Sequence, residues 1–597
     1  MQKYKNRKEV PEKYKWDLSD FFKDEKDFDS NFKKCKLLLN KLNEYRNCTK
    51  DANKLLEFLD LNFETLDLLE NLEGYSYLVS DQELGISKNM ERLNKCLDLF
   101  NTFSLNTSFF EPELLSLSKE EYNSLIKNKK LNKYKILLDR IYRNKEHILD
   151  EKSEQIISEL DNAMNHFEEM SSTMLNKEHD YGTVIIDGEE EIIAPTNYIR
   201  LMRNENREIR KEVCEKYTKT LDRYSVSSSQ FLNGYVKSNI TNAKLHNFKD
   251  AWDAKTFNLN MPQKAYDALI KTTEENTKYL QKYYRIYKKL VGLDKLYQYD
   301  LGLSINKDNK EYSIEEAQEL CLKAIEPLGE KYKECFKKII DNRYVDYAQY
   351  PGKCSGGYSL STFSRDSRIL MSFNYNLDSV STLIHEGGHN VHHQFIMNNN
   401  DLPYRQVPSL VAEVASLTNE CLLSHYLVNN SSSIEEKKAG LKNIIDVVVS
   451  NLFGAVREGK MELDFYNHVL EGNTITKDYM DNLQLESKKL YNGKEIEEDD
   501  YPNVSWARRS HYYMNYYLFN YAFSISVALF VASKILEGNK DMLDKYLKFL
   551  STGSDVWPID AFKILDVDLT DKKVYESAIK YFDSLLDELE KISKEGE

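Results

Sequence analysis

Glycine and proline are scarce in this chain, 21 and 10 among 597 residues, where average usage runs at about 7% and 5%. So few breakers exclude a fold of many short strands and tight turns, and point to long helices. Cysteine is also thin. Cys35, Cys48, Cys96, Cys214, Cys321, Cys335, Cys354 and Cys421 include no Cys-x-x-Cys pair and no dense framework, which excludes a disulfide scaffold and leaves reduced thiols in a reducing compartment. A metal, if held, is held by histidines and carboxylates. No run of Lys or Arg stands clear of Asp and Glu, and the net charge is −15, so neither nucleic acid nor an anionic membrane surface is expected as a partner. Met1-Gln-Lys-Tyr-Lys-Asn-Arg-Lys is charged and leads into no apolar core of signal-peptide length, giving a cytoplasmic expectation. The most apolar stretch, Tyr521–Leu536, carries Ser524, Ser526, Ser533 and Lys534 and falls short of the roughly 18–20 residues that span a bilayer, so it reads as a buried helix.

What the chain does have is length, well past the roughly 250–300 residues at which one hydrophobic core stops growing, and more than one lobe is expected. From Trp16 to about His179, amphipathic helices follow one another; Leu55, Leu56, Leu59, Phe63 and Leu66 recur at helical spacing among Glu57, Asp60, Glu64 and Asp67. Two β-branched runs then flank Asp187-Gly188, a strong hairpin signal, and Pro195-Thr196 restarts helix with Thr196 as its N-cap. A boundary is drawn there: residues 1–195 make an N-terminal helical lobe ending in the hairpin, and residues 196–597 carry the histidine cluster described next. Before that cluster come a Gly-rich loop, Tyr350–Tyr358, without the Gly-Lys-Ser/Thr of a phosphate loop, and a short strand, Arg368–Asn374. The fold class is mainly α, two helical lobes with a small β-sheet or hairpin region near the cluster.

Four of the 11 histidines (His385, His389, His392, His393) fall inside Leu383-Ile-His-Glu-Gly-Gly-His-Asn-Val-His-His393. A chance His-Glu-x-x-His is expected on the order of a few times per hundred proteins, so helix geometry has to add weight, and it does. Val380, Leu383, Ile384, Gly387, Gly388, Val391 and Phe395 gather on one arc, while His385 and His389 share the other face. One turn apart, about 6 Å along the axis, the two imidazoles can reach one Zn²⁺. Glu386 lies about 100° round from His385, outside the stack yet within reach of a metal-bound water, and suits a general base. The two glycines cost roughly 1 kcal/mol each against Ala; close approach of the helix that brings the third ligand accounts for them.

For that ligand His392 and Glu413 compete. His392 is about 10 Å along the axis from His385, so a straight helix cannot bring all three to one ion. Glu413 is a lone carboxylate in the apolar run Ser409-Leu-Val-Ala-Glu-Val-Ala-Ser-Leu, where burial without a cationic partner costs several kcal/mol and a metal supplies the partner. Glu420, two turns on and on the same face, is a candidate to orient a ligand imidazole, or else simply reaches solvent.

His385-Glu-Gly-Gly-His389 followed by Glu413-Val-Ala-Ser416 resembles the active-site pattern of the thimet-oligopeptidase family of zinc metallopeptidases, and within it the oligoendopeptidase F group. The likeness extends to Val10–Asp20, Arg207–Tyr217, Leu232-Asn-Gly, Gly352-Lys353 with Gly356, and His511-Tyr-Tyr; Gly387 departs from the bulkier residue commoner there. The resemblance implies a helical ellipsoid with a deep channel between lobes, short peptides as substrates, and cytoplasmic residence. It also implies that His511 and, less firmly in register, Tyr521 face the scissile carbonyl.

The reading is a zinc-dependent endopeptidase of short peptides, one Zn²⁺ per chain on His385, His389 and Glu413, with Glu386 taking the proton from the attacking water. His511 or Tyr521 steadies the oxyanion. The strand Arg368–Asn374, with Met371 and Phe373, is expected to pair with the peptide; the loop Gly356-Gly357-Tyr358 to close over it; and Tyr513 to contact it. Competing readings are an exopeptidase, an inactive peptide-binding protein, and a helical scaffold with a chance motif.

Overall fold

The computed structural model describes residues 4–164, 166–305, 310–431 and 433–595. Helices dominate, and strands are confined among the described residues to one two-stranded and one three-stranded sheet, so the mainly α expectation holds. The chain divides into two compact units, each drawn from three separate stretches: Met1–Ile148, Asn309–Tyr426 and Val531–Asp566 form the first, Leu149–Asp308, Leu427–Phe530 and Val567–Glu597 the second.

In the first unit, Asp51 caps the helix Ala52–Gln82 by accepting the amides of Asn53 and Lys54. The helix buries Leu55, Phe58, Leu59, Phe63, Leu69, Leu72 and Leu78 against its neighbours Glu25–Leu42 and Ser87–Thr107. Leu370 joins the same core from a three-stranded sheet. There Arg368–Met371 is the central strand, parallel to Val345–Asp346 and antiparallel to Gly357–Leu360. The expected strand thus ends at Met371, although the Phe373 amide still donates to Tyr347 O (2.9 Å). The N-terminal segment covers the Val345 edge: Tyr347 N donates to Tyr14 O (3.0 Å) and Asp17 N to Arg343 O (2.8 Å). Lys353 is buried at the end of the sheet, where its ammonium donates to the carbonyls of Asp346, Ala348 and Met371 and pairs with Asp346 at 2.7 Å. A buried cation is tolerated because every proton it carries has an acceptor.

The histidine helix Leu377–Asn399 starts at Asn376, whose side chain accepts the Ser379 amide. Its apolar arc is buried throughout, and so are Asn390, His392, His393 and Gln394. Its two glycines meet different neighbours. A Cβ at Gly388 would stand 2.8–2.9 Å from the backbone of Ser416, on the next helix Ser409–Asn430, whereas one at Gly387 would strike the Phe336 ring on the helix Glu330–Asp341 at 2.3 Å. Assigning both to the helix that carries Glu413 therefore holds for Gly388 only; Gly387 makes room for an aromatic ring. Between the two helices, Asn419 donates to Ile384 O (3.0 Å) and accepts from the Tyr332 hydroxyl (2.9 Å).

In the second unit the hairpin forms as Thr183–Ile186 against Glu189–Ile192, with Asp187 and Gly188 both left-handed (φ 53° and 88°), the type I′ turn that matches strand twist. The next helix, Tyr198–Leu201, begins after Asn197 rather than Thr196, because Asn197 accepts the Ala194 amide and donates to Ile192 O. The helical run Ile434–Leu470 and the helix Leu518–Leu536 are long and apolar enough to cross a membrane, but 50% and 78% of their most apolar windows are already buried by protein. The second takes the place of the apolar stretch read as a buried helix.

Gly388→Ala sets a methyl against backbone that cannot yield. A loss of about 1–3 kcal/mol is expected from such overpacking, measured as a lower denaturant midpoint. Gly85→Ala, where nothing lies within 4 Å, is expected to leave the midpoint unchanged.

Candidate metal centre

His385 and His389, one turn apart, set their rings 5.0 Å apart at 80°, and both Nε2 atoms turn to the same carboxylate oxygen. Glu413 Oε2 is 3.5 Å from His385 Nε2 and 3.6 Å from His389 Nε2, and one ligand atom from each of the three residues lies within 4.8 Å of the others. Two imidazole nitrogens and a carboxylate oxygen, on side chains about one quarter exposed, are a donor set that suits a single divalent ion with a position left open.

Two of the three donors, His385 and Glu413, are held by neighbouring side chains. Glu420 Oε1 lies 2.6 Å from His385 Nδ1, which places the proton on Nδ1 and leaves Nε2 as the ligand atom. Ser381 donates to the other Glu420 oxygen at 3.2 Å, and Ser416 donates to Glu413 Oε2 at 3.0 Å. Ser381 and Asn419 escape a reading of the sequence, yet each carries a signal: Ser381 stands one turn before His385 on the same helix face, and Asn419 is a polar residue in an otherwise apolar run.

The charges are interlocked. Burial alone would lower the His385 pKa, but its bond to Glu420 and the charges of Glu420, Glu386 and Glu413 outweigh it and raise it to about 9. His389 is pushed down to about 4 by burial and by the charge of His385. Burial, with the charges of Glu413 and Glu420, lifts Glu386 to about 7 against the pull of His385, so its carboxyl is poised to take and return a proton near neutrality. His392 stands apart from the three: it is 1% exposed, stacks on Phe549 in the core, and neither ring nitrogen has a hydrogen-bond partner.

The other candidates distribute as follows. Met371 and Phe373 are buried, at 0% and 2% exposure, and the strand Arg368–Met371 is paired on both sides, so it has no free edge to offer a peptide. That capacity falls to Gly357–Leu360, paired on one side only. Gly357 faces the histidine helix, where a Cβ would stand 2.8 Å from Thr382 Cγ2 and 3.7 Å from Glu386 Oε1. Gly356 is left-handed (φ 98°), and Tyr358 turns to the opposite face, donating to Asp81 at 2.7 Å. The loop expected to close over a peptide is tied down at that point. His511 and Tyr521 belong to the second unit, where their rings lie 6.0 Å apart. Tyr521 lies on the helix Leu518–Leu536, and the segment between it and His511 is pinned by two glutamates of the helix Ala455–Leu470: Tyr512 donates to Glu458 and the Tyr516 amide to the buried Glu462, both at 2.7 Å. Tyr513 is buried beside Tyr235, whose hydroxyl donates to its carbonyl at 2.7 Å.

The model of Peptidase family M3 matches residues 200–581, and that of Oligopeptidase F residues 113–180. Oligopeptidase PepF of Bacillus subtilis is 31% identical over 98% of this chain and 88% of its own length. Group B oligopeptidase PepB of Streptococcus agalactiae is 28% identical over 99% of both chains. Among solved structures, a putative peptidase from Chlamydophila abortus superposes with a TM-score of 0.91 at 25% identity over 98% of this chain and 100% of its own. Oligoendopeptidase-F from Enterococcus faecium gives 0.73 at 24% identity, covering 96% and 99%, and shares the fold.

Two outcomes follow from the donor geometry. Glu413→Ala is expected to abolish stoichiometric metal in elemental analysis while His392→Ala retains it, and Glu420→Gln to weaken metal affinity by about 10–100-fold. His385 holds its proton below about 9 and must lose one to ligate. Metal uptake near neutral pH should therefore release about one proton, read by calorimetry in buffers of different ionisation enthalpy, and affinity should rise from pH 6 and flatten above pH ~9.

Proposed function

The chain belongs to peptidase family M3 and is a metallopeptidase that cleaves oligopeptides; from that premise we propose that its metal is zinc, held by His385, His389 and Glu413, and that Glu386 is its general base. The observation that carries this reading is the convergence of two Nε2 atoms and one carboxylate oxygen within 4.8 Å, beside a buried carboxyl whose pKa stands at about 7. Bound zinc would supply Lewis acidity, polarising a peptide carbonyl and lowering the pKa of water toward about 7.

The remaining work falls to the protein's own groups. Glu386 removes the proton as water attacks the carbonyl carbon, and passes it to the amine that leaves when the C–N bond breaks. The peptide enters as an added strand on Gly357–Leu360, the edge left open when the N-terminal segment covers the other. Backbone pairing of this kind is indifferent to side chains, and so accepts peptides of many sequences. His511 and Tyr521 donate to the oxygen that gains charge, each such donor being worth about 2.7–4 kcal/mol. Their rings adjoin, and burial together with the charge of Arg509 lowers the His511 pKa. A cytoplasmic setting is supported by eight cysteines that are all unpaired.

Glu386→Gln with metal retained is expected to abolish cleavage, and substantial residual turnover sinks the general-base role. A peptide blocked at both termini is expected to be cut internally, seen by mass spectrometry of the products; cleavage only after unblocking would make the enzyme an exopeptidase.

A further inference from the structure

The helix Ala52–Gln82 grips the open edge strand and both loops that flank it from one face. At its end, the Asp81 carboxylate accepts the Tyr358 hydroxyl (2.7 Å), the Asp81 carbonyl accepts the Cys354 amide (2.9 Å), and the Leu84 amide donates to Gly352 O (2.7 Å). Two to three turns earlier, Glu70 accepts the Phe363 amide (3.2 Å), and Asn71 accepts the Thr362 hydroxyl (2.7 Å) while donating to Ser364 (3.0 Å). Between them Gly74 lets the chain come close: a Cβ there would stand 3.0 Å from Thr362 and 3.3 Å from Leu360. Residues 70, 71, 74 and 81 share one helical face.

Asp81 is an uneconomical residue for stability alone. A carboxylate in the last turn opposes the helix dipole, and burial raises its pKa against the pull of its one side-chain donor, Tyr358. Local rules are broken in this way mainly where function asks for it. The partner it holds is one residue from Gly357, which lies on the opposite face of the strand against Thr382 and Glu386.

We propose that Asp81, supported by Glu70 and Asn71, is a positioning residue for peptide binding: through Tyr358 it sets where the Gly357–Leu360 edge stands relative to Glu386. This rests on the reading that the peptide pairs with that edge. Asp81 touches no reacting atom, so its loss weakens binding without removing the chemistry.

The test uses the full-length zinc-loaded protein and an internally quenched peptide blocked at both ends. Tyr358→Phe and Asp81→Ala are each expected to raise KM about five- to tenfold, the worth of one ordinary hydrogen bond, with kcat changed less than about twofold and zinc content unchanged. The double variant is expected to be no worse than either single one, and Asp81→Asn, which keeps an acceptor for the hydroxyl, to recover most of the loss. An unmoved KM in Tyr358→Phe, additive losses in the double variant, or a fall in kcat with KM constant would overturn the proposal. Should Asp81→Ala fail to fold, Tyr358→Phe, nearly isosteric, carries the test. Peptides N-methylated at successive bonds examine the edge separately. If no methylation weakens binding, the edge reading fails; if alternate ones do while Tyr358→Phe is silent, only the positioning role fails.

Discussion

Everything at the metal centre depends on how closely two helices approach at Gly388. The backbone of Ser416 occupies the space a side chain would take there, so Leu377–Asn399 and Ser409–Asn430 run nearly backbone to backbone at that point. That contact decides the height at which Glu413 meets His385 and His389, and the Asn419–Ile384 hydrogen bond decides the rotation. Ser416, Glu413 and Glu420 then fall at the spacings of one helical face, with Glu413 ahead of the imidazoles and Glu420 behind one of them. Three side-chain bonds are enough to orient His385 and Glu413 because the scaffold beneath them leaves little freedom.

The site is also an electrostatic unit. Three carboxylates and two imidazoles are gathered in a poorly hydrated space, and without a cation the arrangement settles by keeping a proton on His385 and denying one to His389. A divalent ion replaces that proton with twice the charge. Binding and protonation are therefore alternatives for one set of atoms, and the same crowding that makes the cluster costly when empty makes it selective for a small, highly charged guest.

Much of this was legible in the sequence, and what was not shares one physical cause. Helical character followed from few breakers and from rows such as Leu55, Leu59 and Phe63, all of which are buried. The juxtaposition of His385, His389 and Glu413 could be argued from helix pitch and from the oddity of an acid in an apolar run. The failures concern pairing across sequence distance. Arg368–Met371 looks like any short apolar strand, and only its partners reveal that it lies in the middle of its sheet with no edge to spare. Gly387 and Gly388 are indistinguishable along the chain, yet one faces a ring and the other a backbone. Periodicity tells which face of an element is covered, not by what.

The interleaving of the two units bears on how the protein is made. The first unit closes only with Val531–Asp566, and from that last stretch the helix Lys540–Leu550 packs on the histidine helix and lays Phe549 on His392. During synthesis the ligand helices leave the ribosome long before their backing does, with apolar arcs uncovered in the interval. Contacts so distant in sequence slow folding and prolong exposure to aggregation. The nascent chain thus exposes apolar surface until its final segments emerge, and a truncation before Lys540 leaves the histidine helix without the wall that carries Phe549.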